Sequence, residues 1–186
     1  MVTMLAPPRM SSQGTSLIEV LVTIVILALG LLGLVGLQTR LQVSEVEAYQ
    51  RAQALILLND MANRIAANRS NADSYVTSSP LGVGATCPTS TSSRVAADLA
   101  EWCNALQGAS ETTGTNRVGA MAGGRGCVEK LASDQYLVTI AWQGMAPVSA
   151  PPSSLPCGAG SYDGTGGCTS NRCRRVVSTI VSLGSL

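Results

Sequence analysis

Residues 14–37 read GTSLIEVLVTIVILALGLLGLVGL, and this stretch decides the fold. The eighteen residues from Val20 to Leu37 carry no formal charge. A helix of that length, rising about 1.5 Å per residue, is close to the hydrocarbon thickness of a bilayer. The run is therefore predicted to cross a membrane or to lie in a bundle of apolar helices.

One carboxylate, that of Glu19, stands at the leading edge of this run. A charge there is costly to place in lipid, so it indicates a functional role with a partner of opposite charge. A chain cut after Gly14 would offer an ammonium group on Thr15 of a neighbouring subunit. Such a pair attracts far more strongly in a medium of low dielectric than in water, but desolvation opposes the gain. We therefore expect Glu19 to set subunit register more than net stability.

Gly14, Thr15, Glu19 and the apolar run together resemble the class III signal of type IV prepilins. The resemblance implies that prepilin peptidase cuts between Gly14 and Thr15, and that Thr15 is the residue to be N-methylated. Glu19 would be the fifth residue of the mature chain, where the family carries its assembly carboxylate. This chain has Thr15 where the family most often has Phe.

Later segments are similar to those of minor pilins within the type IV pilin superfamily. The resemblance implies a minor pilin that enters a type IV pilus or primes its assembly. Its partners would be prepilin peptidase, other minor pilins, the major pilin, the inner-membrane assembly platform and a tip adhesin. Its location would be the bacterial inner membrane with a periplasmic head, and then the surface filament. The similar segments are residues 14–38, 51–69, 123–131, 136–143 and 174–183.

Two other functions share parts of this pattern. A pseudopilin of a type II secretion system carries the same N-terminal signal, although the few acidic residues after Ser70 disfavour the calcium-binding kind. A membrane-tethered periplasmic binding module that does not polymerise would keep residues 1–14. A cleaved secretory signal is disfavoured because its apolar core is usually shorter and is followed by a small-residue cleavage site.

Six cysteines all follow the apolar run, and an even number on one side of it indicates disulfides in an oxidising compartment. Six cysteines allow fifteen pairings, and the sequence does not choose among them. A zinc site is disfavoured because the chain has no His and no Cys-x-x-Cys pair. The six are Cys87, Cys103, Cys127, Cys157, Cys168 and Cys173.

The rest of the chain predicts a small α+β head. The first helix is expected to continue to about Ala67, with an apolar stripe that includes Leu58 and Ile65. Residues 70–93 read as a loop, and Ser93 is expected to cap a helix over 94–106. Strands are predicted at 125–131 after two glycines, at 136–142 from alternation and at 174–183 from β-branched residues. A turn at 132–135 is expected to join the first two. The stripe also includes Leu55 and Ala62, and the helix is expected to carry the ion pairs Glu47–Arg51 and Asp60–Arg64.

These elements give an α+β, type IV pilin-like fold: a long N-terminal helix packed on a small antiparallel sheet, with disulfide-stapled loops. The leader would be residues 1–14, the transmembrane or filament-core helix 15–37, its amphipathic continuation 38–69, and the periplasmic head 70–186.

No catalytic constellation is apparent in the sequence. The chain lacks His and a phosphate-binding glycine pattern, so we expect no enzyme activity, no cofactor and no metal. Arg172, Arg174 and Arg175 form a basic run, which we interpret as a solvated strand start or a subunit-interface charge. The net charge is only +1, so a nucleic-acid partner is not expected.

Overall fold

The structure is a computed structural model that describes residues 14, 16–109, 112–113, 116–117 and 121–184. Two compact units are present, and the boundary between them lies between Gln42 and Val43. The first unit consists of the N-terminal part of helix α1, Leu17–Ala67. The second unit, which we call the head, holds the remainder of α1 and every other described element.

The helices lie close to their predicted positions. Helix α1 ends at Ala67, where the Asn68 amide donates to the Arg64 carbonyl at 3.1 Å. Helix α2 covers Arg94–Leu106, and the Ser93 side chain accepts a hydrogen bond from the Ala96 amide at 3.1 Å. This cap satisfies one of the amides that a helix N-terminus leaves without an intrahelical partner.

The predicted loop at 70–93 is partly wrong. A 3-10 helix runs over Arg69–Tyr75, and the short strand β1 covers Leu81–Gly82. Tyr75 and Ala72 of this 3-10 helix are buried, so the segment contributes to the core. This segment is rich in Ser, Asn and Asp, so its sequence has no periodic pattern of apolar residues that would have predicted a helix.

The head contains strands β4, Arg125–Ala132; β5, Gln135–Gln143; and β6, Arg174–Ser182. Together with β1 they form a four-stranded antiparallel sheet in the order β1–β4–β5–β6. Strand β5 lies between its two long neighbours, pairing Val138 with Val128 on one side and with Thr179 on the other. The β4–β5 turn is tight, and Asp134 has a φ of 60°. The two remaining described strands are β2, Thr112–Thr113, and β3, Asn116–Arg117, which pair with each other.

The inner face of the sheet belongs to the main core of the head. Alternate residues of β5, from Tyr136 to Trp142, join α1 and α2 side chains in one buried cluster. The buried face of α1 differs from the predicted stripe, since Ala54 and Met61 are buried while Leu55 is 40% exposed. Helix α1 still packs on the sheet as expected. Its contribution to the cluster consists of Ala54, Leu58, Met61 and Ile65.

The outer face of the sheet is also covered, which the sequence did not predict. Ala141 of β5 and Cys127 of β4 form a second buried cluster with Cys157 and Tyr162. Cys157 and Tyr162 belong to the irregular connection between β5 and β6. A connection rich in Pro, Gly and Ser, residues 144–173, therefore covers part of the outer face of the sheet, and we call it the outer lid.

Gly126→Ala should destabilise the head, because strand β4 passes directly under Trp102 of α2. A Cβ atom at position 126 would lie 2.3 Å from the Trp102 ring. The ring is fully buried and its Nε1 donates to the Leu57 carbonyl at 2.9 Å, so it has little room to move. We expect a loss of about 2 kcal/mol in unfolding free energy, in line with other overpacked cores. Chemical denaturation followed by tryptophan fluorescence measures this loss of unfolding free energy.

Gly164→Ala is the control, because a Cβ atom at position 164 meets no atom within 4 Å, and it should lower the unfolding free energy far less. Gly160→Ala is unsuitable because Gly160 has a φ of +71°.

Candidate functional site

The N-terminal part of α1 presents its apolar side chains to the surroundings of the chain. Sixteen large apolar residues between Leu17 and Leu41 are exposed, by fractions from 45% to 83%. Burying one such side chain fully is worth about 1.5–3 kcal/mol, so the sixteen together represent tens of kcal/mol. By length and composition this helix can cross a membrane. The segment therefore requires apolar surroundings that the described chain does not itself supply.

Glu19 lies in the first turn of α1, at the start of this apolar surface. The Ser16 carbonyl accepts hydrogen bonds from the amides of Glu19 at 3.0 Å and Val20 at 3.3 Å, which closes that turn. A carboxylate is favourable here because the helix dipole places partial positive charge at its N-terminus. Within the described residues Glu19 makes no ion pair. Gly14 and Ser16 are exposed beside it, whereas Thr15 lies outside the described residues.

Three glycines interrupt the apolar surface of the helix: Gly30, Gly33 and Gly36. A Cβ atom built at any of them meets no atom within 4 Å. Packing within the described chain therefore does not require glycine at these positions. Each glycine leaves the helix backbone open to close approach from outside.

All six cysteines form disulfides, and the structure shows the pairing that the sequence left open. Cys87–Cys103 ties the segment before α2 to that helix, and Cys127–Cys157 ties β4 to the outer lid. Cys168–Cys173 closes a short loop directly before β6. Two of the three bonds thus hold the connection between β5 and β6, where few large apolar residues are available to do so.

Glu47 of α1 pairs with Arg175 of β6, so the predicted pair Glu47–Arg51 is wrong. The Arg175 guanidinium donates to the Glu47 carboxylate at 3.1 Å, and the Met145 amide donates to the same oxygen at 2.9 Å. A second hydrogen bond from Arg175 reaches the Ala146 carbonyl at 2.7 Å. Glu47 therefore fastens the helix to the start of β6 and to the segment that follows β5. Spacing within the helix alone could not reveal a partner this distant in sequence.

The basic run before β6 is not an open basic patch. Arg174 is only 2% exposed, and its guanidinium donates to the carbonyls of Leu155 at 2.6 Å and Cys157 at 2.9 Å. Arg175 is paired with Glu47 and is half-buried, so of the three arginines only Arg172 is exposed. The expectation of a solvated strand start was therefore wrong for Arg174, which holds the outer lid in place.

A cluster of charged side chains joins α1 to α2, and we call it the Arg64 cluster. The Arg64 guanidinium contacts Asp60 at 3.0 Å, as predicted, and also Asp98 at 2.8 Å and Glu101 at 2.7 Å. Asp98 is 1% exposed and accepts a further hydrogen bond from the Tyr75 hydroxyl at 2.5 Å. The role of Asp98 was not predicted from the sequence. Its position on the apolar face of α2, three residues after Val95 and four before Trp102, was the available signal.

Acid should lower the unfolding free energy of the head by protonating Asp98. Burial acts to raise the pKa of Asp98, but hydrogen bonds from Tyr75 and Arg64 outweigh burial, so the pKa lies below its usual value. Because the carboxyl of the unfolded chain takes up a proton first, the stabilisation is complete above about pH 5. It is lost progressively as the pH falls below about 4 towards the lowered pKa of the folded carboxyl.

We expect Asp98→Asn to flatten the dependence of unfolding free energy on pH between 5 and 3. Denaturation at a series of pH values measures this slope. Some slope should remain, since hydrogen bonds from Lys130 and Tyr136 also lower the pKa of exposed Asp73. An unchanged slope in Asp98→Asn would show that Asp98 is not the acid-sensitive group.

No group of three or more metal-ligating side chains occurs among the residues that the structure describes. A shallow pocket beside the Cys127–Cys157 disulfide is bordered by Thr77, Ser79 and Glu129, and it is open to solvent. No buried nucleophile or acid–base pair lines it. Within the described part of the chain, the exposed apolar helix is a feature that calls for a partner.

Comparison with known proteins gives no relative. No family model, no curated protein and no solved structure matches this chain.

Proposed function

We propose that this chain is a minor pilin that enters a type IV pilus or primes its assembly after cleavage by prepilin peptidase. The observation that carries the proposal is the exposed, uncharged run from Val20 to Leu37, with a single carboxylate at its start. A membrane anchor alone accounts for the apolar run but gives no role to Glu19. A subunit that moves from the membrane into a bundle of like helices accounts for both.

Glu19 would meet the new amino group on Thr15 of an adjacent subunit. The carboxylate has no ionic partner among the described residues of its own chain, so it is available for one from a neighbour. Both charges would lie in the apolar layer, where an unpaired charge is costly and a misaligned helix is therefore disfavoured. The pair would thus select one axial position for the entering subunit.

The glycines fit the same role. Gly30, Gly33 and Gly36 leave backbone open on a helix that has no internal need of them. Small residues of this kind let helices approach closely in apolar surroundings. Bundle packing would then bury the sixteen exposed side chains against neighbours.

The head is compatible with secretion into an oxidising compartment, since all six cysteines are paired. The segments outside the N-terminal signal resemble those of a minor pilin, the type IV pilus modification protein PilV. On that resemblance we propose a position in the complex of minor pilins at or near the filament tip. The bacterial inner membrane would hold the chain before assembly.

Processing tests the proposal first. Co-expression with a prepilin peptidase should shorten the chain by residues 1–14, and Gly14→Val should abolish the change in gel mobility. Position 14 has no atom within 4 Å of its Cβ site, so Gly14→Val disturbs no internal packing. Gly36→Ala, equally free of contacts, is the matched control and should be processed normally. A chain that stays uncut with active peptidase would contradict the proposal and would favour a tethered module.

A deletion strain separates the pilin from the pseudopilin. Loss of twitching motility with normal exoprotein secretion is expected of a minor pilin. Loss of secretion with normal motility would assign the chain to a type II secretion system instead.

A further inference from the structure

A small, partly enclosed cavity lies within the head, between helix α1 and the start of strand β6. Its volume is about 160 Å³, well below the roughly 300–1,000 Å³ of pockets that hold drug-sized ligands. The cavity therefore has room for one small group, such as a single amino-acid residue. Its lining consists of Glu47 and Arg51 of α1, Trp142 of β5, and Arg175, Val176 and Val177 of β6.

Two of the three charges at this cavity neutralise each other. One oxygen of the Glu47 carboxylate accepts hydrogen bonds from Arg175 at 3.1 Å and from the Met145 amide at 2.9 Å. Arg175 also donates to the Ala146 carbonyl at 2.7 Å, so its guanidinium is held in place. Arg51, by contrast, makes no ion pair within the described part of the chain. The cavity therefore has a net positive charge, carried by Arg51, and favours an anionic group.

A buried acceptor without a donor lies on the same face of α1. Glu47, Gln50 and Arg51 are spaced at i, i+3 and i+4, so they share one face of the helix. Gln50 is only 7% exposed, and its Oε1 atom has no hydrogen-bond partner among the described residues. A buried polar atom left unpaired is destabilising, so this position indicates a group that brings a donor.

We propose that this cavity binds an N-acylated amino acid, either free or as the carboxyl-terminal residue of a peptide chain. Its carboxylate would accept hydrogen bonds from the Arg51 guanidinium, whose planar fork matches that group. Its amide N–H would donate to Gln50 Oε1, and a small apolar side chain would pack against Trp142 and Val177. A bare carboxylate would lack the donor, and a neutral amide would lack the charge.

The site joins two layers of the head. Arg51 belongs to α1, whereas Trp142 and Val177 belong to the sheet, so a bound residue would contact both. All the lining residues lie in the head. The inference therefore depends neither on the apolar segment nor on cleavage.

Fluorine NMR of the full-length chain in detergent micelles tests the site. The chain has two tryptophans, so fluorotryptophan labelling reports Trp142 at the cavity and Trp102 outside its lining. N-acetylalanine is the probe, and it should shift the Trp142 signal in a saturable way while leaving the Trp102 signal unchanged. N-acetylalanine amide, which lacks the carboxylate, should bind about tenfold more weakly. No saturable shift with N-acetylalanine, or equal binding of the amide, would overturn the inference.

Two arginine variants show whether the cavity or the overall charge attracts the probe. Arg51→Gln should weaken the binding of N-acetylalanine about tenfold, because it removes the charge that meets the carboxylate. Arg172→Gln is the matched control and should bind like the native chain, since Arg172 is exposed and does not line the cavity. Equal binding by the two variants would overturn the site.

Gln50→Met tests the contact with the N–H group separately from the charge. The native chain should prefer N-acetylalanine over its N-methyl analogue, which has no N–H to donate, and Gln50→Met should lose this preference. Methionine also removes the unpaired buried acceptor, so the variant should fold normally. A preference that persists in Gln50→Met would contradict the contact.

A longer probe distinguishes the two sources of the ligand. Tighter binding of acetyl-glycyl-glycyl-alanine than of N-acetylalanine would assign the cavity to the end of a partner chain. Equal or weaker binding would assign it to a free acylated amino acid.

Discussion

Arg64→Met is expected to lower the unfolding free energy of the head by about 3 kcal/mol. Removing one partner of a buried ion pair leaves the other charge uncompensated, which typically costs about 3–5 kcal/mol. The buried partner here is Asp98, whose side chain is only 2% exposed and lies 2.8 Å from the Arg64 guanidinium. We place the loss at the low end because Tyr75 and Arg94 still contact the carboxylate. Both tryptophans lie in the core of the head, so their fluorescence reports its unfolding.

A double-mutant cycle separates the loss of the Arg64–Asp98 charge interaction from the loss of Arg64 side-chain packing. Arg64→Met with Asp98→Asn removes both charges while the amide can still accept from Tyr75, so most of the lost stability should return. Lys130→Met is the control for an exposed pair, since Lys130 and Asp73 are 43% and 67% exposed. Such pairs contribute about 0–1 kcal/mol. Strictly additive losses in the double variant would show that Arg64 and Asp98 do not stabilise each other.

Glu19→Ala should reduce the amount of this protein in surface filaments by more than about tenfold. If Glu19 pairs with the amino group of Thr15 in the apolar layer, its removal leaves that amine unpaired at a cost of about 3–5 kcal/mol. Each 1.4 kcal/mol is a factor of ten in an equilibrium. Blotting of sheared filaments against the membrane fraction measures the distribution.

Two controls make the Glu19 result specific. Glu45→Ala removes an exposed carboxylate further along α1 and should leave incorporation unchanged. The mobility of the Glu19→Ala chain should show that cleavage still occurs, so that a loss of incorporation reports assembly. Normal amounts of the Glu19→Ala chain in filaments would show that the carboxylate has no role in subunit entry.

Much of the fold could be predicted because the signals are local. The apolar run and its helical continuation, the Ser93 cap and the alternation around Tyr136 each depend on neighbouring residues, and the structure confirms these elements. The α+β layout, with a small antiparallel sheet on the second half of the helix, follows from them. The prepilin signal at Gly14 and Glu19 is also local, and its function stays a prediction.

The predictions that were wrong or left open concern residues whose partners are distant in sequence. Glu47 has Arg51 one turn away, yet it pairs with Arg175 because the fold brings β6 beside the helix. Arg174 sits in a basic run, yet it is buried under carbonyls of the lid. The disulfide pairing likewise could not be predicted, because the spacing of cysteines in the sequence does not specify which segments are adjacent in the fold.

Intact mass of the protein recovered from sheared surface filaments tests the central claim most directly. The account predicts a chain that begins at Thr15, lacks residues 1–14 and retains three disulfides, with any N-methyl group adding to that mass. A full-length chain found only in the envelope, with none of it in filaments, would contradict the account.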